Sequence, residues 1–307
     1  MPLVIKTSST SYSLLTDSGE VLNDCRLKGN LRLKGIRTTN PVAVGDIVDI
    51  YTQDDGTIWI TNIHKRDNYI IRRATNLSKE SQVIAANIDL AALVITLHHP
   101  TTHTTFVDRF LFNAECYHIP ASLIFNKSDI YDSDEREELD MWCKLYSSLG
   151  YTTHIVSAAT GEGIDALKDY FRGKTLLLAG NSGVGKSTLL NVIAGEELTR
   201  TADLSKVHEQ GMHTTTFSQM HILPQCRIID TPGVRGFGIV DIQANEVWGY
   251  FPEIRHFAKQ CKYANCTHTN EPQCAVKDAL EHHYIAISRW DSYLSIMGDA
   301  KQEKYRK

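Results

Sequence analysis

The sequence contains no long apolar run. None of its hydrophobic stretches approaches the roughly 20 residues that a membrane-crossing helix needs, and its first residues do not resemble a secretory signal. The expectation is a cytoplasmic chain without membrane contact. A disulfide framework is also missing: the seven cysteines are odd in number, and Cys25, Cys116, Cys143 and Cys226 stand singly, a usage that suits a reducing compartment. Nor is there a dominant charge. The net charge of −4 gives no global signature of nucleic-acid binding, although the middle of the chain is acidic and both ends are slightly basic. Internal repeats and low-complexity segments are absent, which excludes a solenoid or a disordered chain. What remains is an ordinary globular composition over 307 residues, 42% of them hydrophobic, enough for two or three domains.

Residues 1–70 contain short β-rich runs: Tyr12–Leu15, Val21–Leu27, Ile47–Tyr51 and Ile58–Thr61, separated by Asp17-Ser18-Gly19, Val44-Gly45-Asp46 and Asp54-Asp55-Gly56. About five such strands make a small barrel, and an OB-like one is the first choice. Arg26, Lys28, Arg32, Lys34 and Arg37 gather in one segment that can lie against RNA phosphates. Lys65 to Arg73 reads as a basic connector. From residue 75 to 242 buried strands alternate with amphipathic helices, which means a parallel sheet covered by helices. His98, His99 and His103 are expected as solvent-exposed loop histidines. In residues 243–307 a stripe of Val276, Leu280, Tyr284, Ile287, Trp290, Leu294 and Met297 reads as the core face of one closing helix.

Gly180-Asn181-Ser182-Gly183-Val184-Gly185-Lys186-Ser187-Thr188 lies between the apolar strand Thr175–Ala179 and a helix opening at Leu189. Strand, glycine-rich turn and helix are what a phosphate cradle requires: backbone N–H groups converge on the oxygens, and the helix terminus adds partial positive charge. Lys186 would reach the β- and γ-phosphates, and the Ser187 hydroxyl would bind Mg²⁺. Asn126-Lys127-Ser128-Asp129 follows the buried strand Ala121–Phe125. The Asp129 carboxylate can accept from both N1–H and the exocyclic amine of guanine, a pairing adenine does not offer. Lys127 would lie along the base, and Asn126 would tie this loop to the phosphate loop. Ser157-Ala158-Ala159 follows the next strand and can donate a backbone N–H to guanine O6. Asp230-Thr231-Pro232-Gly233 closes the set, with Asp230 reaching Mg²⁺ through water and Gly233 sensing the γ-phosphate.

The order of these pieces is a cyclic shift of the usual one: the base loops come first and the phosphate loop after them. The fold is therefore expected to be circularly permuted, with the segment after Gly233 leading straight into the C-terminal part. One of Thr214, Thr215 and Thr216 would close over the metal; the register among them is open, and Thr215 is carried as the candidate. The position after Gly233 is Val234, which cannot orient a water, and His213 is the candidate replacement. Cys261-x4-Cys266-x-His268-x5-Cys274 offers three thiolates and an imidazole to one structural Zn²⁺.

These motifs together, with Gly211-x-His213-Thr214-Thr215 and Asp230-Thr231-Pro232-Gly233-Val234-Arg235, resemble the ribosome small-subunit-dependent GTPase A family over nearly the whole chain. The resemblance implies an N-terminal OB-fold, a permuted GTPase domain and a zinc-binding C-terminal domain. It also implies a bacterial factor for late maturation of the small ribosomal subunit that binds its rRNA and turns over GTP to GDP under stimulation by the subunit. The chain is expected to be a monomer. Two other classes remain to be separated: a P-loop kinase or ATPase, against which Asp129 and Ser157-Ala158 argue, and an RNA-binding module that uses GTP only as a clip.

Overall fold

The computed structural model describes residues 1–8, 10–28, 41–73, 81–198, 218–230 and 242–305. Five short strands open it: β1 (Leu3–Thr7), β2 (Tyr12–Leu15), β3 (Val21–Leu27), β4 (Val48–Thr52) and β5 (Ile58–Ile63). They pair in the order β1-β2-β3-β5-β4, and a bridge from Ile47 back to Leu3 closes the circuit. Val4, Leu14, Cys25, Val48 and Ile60 fill its interior, one face of each strand pointing inward as the pleat requires. β1 had no counterpart in the sequence reading. Of the basic segment, Arg26 sits in β3, whereas Arg32, Lys34 and Arg37 lie outside the described residues.

The expected connector at 65–73 is partly a strand. Tyr69–Arg73 forms β6, antiparallel to β7 (Ser81–Ala86), with a register shift between Ile70 and Ile71. That irregularity buries both isoleucines and so erases the alternation by which a strand is read.

β8 (Leu90–Ile95), α1 (Thr104–Cys116), β9 (Ala121–Phe125), α2 (Ser133–Ser148), β10 (Thr152–Ile155), α3 (Ile164–Phe171), β11 (Thr175–Ala179) and α4 (Lys186–Ala194) alternate, followed by β12 (Gln219–Ile222) and β13 (Arg227–Asp230). β10, β9, β8, β11 and β13 run parallel in that order, and antiparallel β12 joins them to β1, making one mixed sheet. β8 and β11 are buried at every position, so their alternate side chains feed two cores. Leu93, Ile95 and Leu177 pack with Val107, Phe110, Leu139 and Tyr146 of α1 and α2. Leu90, Val94, Leu176 and Leu178 pack with Leu167, Phe171, Leu189 and Ile193 of α3 and α4.

The closing stripe spans two helices rather than one. After α5 (Pro252–Ala258), α6 (Ala275–Glu281) ends before α7 (Ile287–Tyr305) begins. His283 takes φ 61°, its N–H bonds to Leu280 O at 3.1 Å, and the Tyr284 N–H reaches Ala279 O at 2.9 Å. That is a Schellman stop with histidine where glycine is usual, so the sequence carried no stop signal. Tyr284 and Ile287, 72% and 63% exposed, leave the core. Of the stripe, Val276 and Met297 are in the core and Leu280, Trp290 and Leu294 pack partly buried against it, while Ala279, Tyr293 and Ile296, outside the stripe, fill it with Phe251 and with Phe112 of α1. No helix among the described residues is long and apolar enough to cross a membrane.

Candidate nucleotide site and metal cluster

Parallel strands deliver their following loops to one edge of the sheet, outside the carboxyl ends. Residues 96–103 follow β8, Asn126–Asp129 follow β9, Ser157-Ala158 follow β10 and Gly180–Gly185 follow β11, while Asp230 is the last residue of β13. Motifs that are far apart in sequence therefore meet.

Asn126 is where three of them join. Buried to 1% exposure, it donates from Nδ2 to Val184 O at 2.9 Å and accepts at Oδ1 from the Ala158 N–H at 3.0 Å. Gly185, at φ 91°, lies so close that a Cβ would collide with Asn126 Nδ2; only glycine satisfies both the turn and the approach. Asp129 is exposed, and its Oδ1 accepts from Ser157 Oγ at 2.6 Å. Ser157 Oγ in turn accepts from the Thr160 N–H at 3.1 Å, which fixes the direction of the hydroxyl. Ser128 Oγ donates to Glu162 Oε2 at 2.9 Å.

Lys127, at φ 66°, sends its ammonium to His99 O at 2.6 Å. Lys186 opens α4 and donates to the carbonyls of its own loop, Gly180 at 2.8 Å and Asn181 at 3.1 Å. Ser187 and Thr188 occupy the same first turn, half-buried, while Ser182 is exposed on the loop. Gly180 (φ 147°), Gly183 (φ 83°) and Gly185 give the loop its positive-φ turns, a backbone type in which successive N–H groups can converge on an anion. His98, His99 and His103 are exposed as expected. α2 supplies carboxylates absent from their sequence neighbourhood, Glu138 at 2.8 Å from His98 and Glu135 at 3.5 Å from His99.

At the other end, the donor atoms of Cys261, Cys266, His268 and Cys274 all lie within 4.8 Å of one another. Cys261 Sγ and Cys274 Sγ approach His268 Nδ1 at 3.5 and 3.6 Å. The donor set fits one metal ion. Burial lowers the His268 pKa, favouring the neutral ring that ligates, and pushes the Cys266 thiol up to about 12, so metal binding would displace a proton there. His268 Nε2 is buried without a hydrogen-bond partner, and the ring stands edge-on to Trp248 at 5.6 Å.

The RsgA GTPase family profile matches residues 63–240. The small ribosomal subunit biogenesis GTPase RsgA of Bacteroides fragilis is 51% identical over 305 residues, covering 99% of this chain and 98% of that protein. The chain belongs to the RsgA GTPase family. The RsgA protein of Porphyromonas gingivalis is also 51% identical, over 310 residues and the same shares of each chain. The crystal structure of YjeQ from Thermotoga maritima superposes with TM-score 0.76 at 32% identity, covering 97% of both chains. That of YloQ, a circularly permuted GTPase, gives 0.73 at 28%, covering 98% of this chain and 95% of that one. Circular permutation, expected from the motif order, is thus stated of one of these fold relatives, YloQ.

For this RsgA-family chain, His213, Thr214, Thr215, Thr216 and Gly233 lie outside the described residues, as does the Asp230 side chain. Sequence reasoning missed Glu271, inside the metal loop. Its carboxylate accepts from Thr267 N and Oγ1 at 2.8 and 2.6 Å and from the N–H groups of Thr269 and Asn270 at 3.0 and 3.1 Å. It organises the loop. An acid four residues from a threonine is too common to have pointed to it.

Proposed function

We propose that this chain hydrolyses GTP to GDP and phosphate as a factor in late biogenesis of the small ribosomal subunit, binding the subunit's rRNA and being stimulated by it. The observation that carries the reading is the pair of bonds made by Asn126, which joins the base loop, the Ser157-Ala158 loop and the phosphate loop in one constellation, in a chain of this family.

In this reading Asn126, Lys127, Ser128 and Asp129 form the guanine side, with Asp129 accepting from the base and Ser157 and Ala158 flanking it. Gly180, Asn181, Ser182, Gly183, Val184, Gly185, Lys186, Ser187 and Thr188 wrap the phosphates. Lys186 leaves its loop carbonyls for the β- and γ-phosphate oxygens. Ser187 and, through water, Asp230 would hold Mg²⁺, which when bound neutralises charge on those oxygens. Gly233 reads the γ-phosphate, Thr215 closes the site, and His213 orients the attacking water. Transfer of this kind depends on positioning and charge stabilisation, so turnover of the isolated chain is slow until the small subunit binds.

The β1–β5 circuit supports an OB-like barrel over residues 1–70 that contacts rRNA, followed by the permuted GTPase domain over 75–242 and a zinc domain over 243–307. Cys261, Cys266, His268 and Cys274 would hold one structural Zn²⁺, since three thiolates and an imidazole suit its tetrahedral preference. The protein acts as a cytoplasmic monomer without membrane contact. The deciding experiment is GTP turnover with and without small subunits, paired with cosedimentation. Stimulation and cosedimentation are expected, and turnover indifferent to subunits with no cosedimentation would sink the reading. His213→Ala should keep GTP and subunit binding while losing most of the stimulated rate; full retention removes His213 from the chemistry.

A further inference from the structure

Tyr131 follows the base turn Ser128–Ile130 and points its ring into the core shared by Ile95, Leu97 and Phe125. It is 4% exposed. Its hydroxyl accepts from the Leu97 N–H at 2.9 Å and donates to Asn126 O at 3.1 Å. The directions are unambiguous: an amide N–H can only donate and a carbonyl can only accept. One phenol therefore bridges the loops that leave two neighbouring parallel strands, β8 and β9.

Both loops wall the nucleotide site. The first carries the His99 carbonyl that takes the Lys127 ammonium at 2.6 Å, and its Pro100 ring would lie 3.6 Å from a Cβ built on Gly183. The second carries Asn126, whose amide crosses to Val184. The backbone of Tyr131 is held from the other side, with Arg136 Nε on Tyr131 O and Arg136 Nη2 on Ser128 O, each at 3.1 Å.

We propose that the Tyr131 hydroxyl is a positioning group for guanine recognition: it fixes the spacing of the two loops and thereby the placement of Lys127 and Asp129 on the base. The inference rests on the guanine reading of this site. Burial raises the Tyr131 pKa, so the phenol keeps the proton it donates throughout the neutral range. Leu97 and Asn126 are 2% and 1% exposed, so water does not readily replace the hydroxyl, and its loss drives the loops to rearrange. A phenyl ring at this position retains the packing and loses only the bridge. The arrangement that sets Asp129 against the exocyclic amine is then only a fraction of the ensemble, while the rearranged remainder still holds the phosphates, so the affinity that depends on the amine falls more than the affinity that does not.

The test is Tyr131→Phe, with binding of GDP and of inosine diphosphate, which lacks the exocyclic amine, measured alongside the thermal midpoint and turnover at saturating GTP. We expect GDP affinity to fall about tenfold, the preference for GDP over inosine diphosphate to shrink, and saturated turnover to change by less than about twofold. General loosening of the fold would instead weaken both nucleotides equally and leave the preference intact, which overturns the proposal, as does wild-type affinity. Asp129→Asn in the same assay separates the two levels. If it leaves base preference unchanged, the guanine reading itself fails. If it shifts preference while Tyr131→Phe behaves as wild type, only the role of Tyr131 falls.

Discussion

Arg289 of α7 donates to the Asp108 carboxylate of α1 at 2.8 Å, although the two residues are 181 positions apart. Its other nitrogens reach Glu253 of α5 at 2.7 and 3.2 Å, and the guanidinium lies over the Phe251 ring at 4.7 Å from its centre. Tyr146 of α2 completes the cluster by donating to Asp108 at 2.9 Å. Arg289 is 1% exposed, so its charge is compensated inside the protein. Through these bonds α1, which also packs on the sheet, holds the C-terminal helices.

Removing one partner from such a cluster leaves buried charge uncompensated, at a cost of about 3–5 kcal/mol. Arg289→Met should therefore lower the unfolding midpoint sharply in chemical denaturation. GDP affinity below the transition should hold within about threefold, because none of the cluster's members belongs to the loops that Asn126 joins. An unchanged midpoint would mean that the cluster carries no stability.

Gly185→Ala places a methyl group where Asn126 Nδ2 already sits. Titration calorimetry should report GDP affinity reduced more than about tenfold, as the two loops are forced apart. Gly195→Ala is the matched control. It has a similar φ, 78°, but nothing within 4 Å of the added carbon. Only backbone strain of about 1–2 kcal/mol then acts, and affinity should survive. Equal losses in both variants would show that strain alone matters.

The metal cluster predicts about one Zn²⁺ per chain by elemental analysis, lost in Cys266→Ala. Circular dichroism should then show reduced helix content as α6 loosens, while nucleotide still binds to the sheet, whose two cores contain no residue of α6. A folded, metal-free C-terminal region at full helix content would remove the site.

Glu271 predicts a pH dependence. Its bonds to Thr267, first of all, hold its pKa at about 2 against an ordinary 4.5. A depressed carboxylate stabilises the fold above the unfolded value and loses that contribution as pH falls from about 4.5 towards about 2. Glu271→Gln should cost on the order of 1 kcal/mol at neutral pH, after allowance for solvent screening. The gap between the two proteins, followed by thermal melts, should close across that acidic window. A gap constant from pH 7 to pH 2 would refute the role of the charge.

The sequence by itself determined the glycine-rich loop between β11 and α4, the Asn126–Asp129 loop after β9, the thiol cluster and the alternating centre. Each is written in local chemistry: glycines at positions that need positive φ, a lysine and serine at fixed offsets, a buried run bounded by turns, four ligands in one loop. It did not determine β1 or β6, because a strand is confirmed by its partner, and the bulge at Ile70 and Ile71 hid the period. It joined α6 to α7 because the apolar spacing continues by coincidence across a turn that histidine, rather than glycine, terminates. Tertiary structure alone decided that Tyr131 bridges Leu97 and Asn126, that Ser157 orients Asp129, and that Arg289 meets Asp108 and Glu253. The reason is physical. Tyrosine, serine and arginine pair with many groups equally well, and the choice among partners is made by which strands and helices the cores bring together.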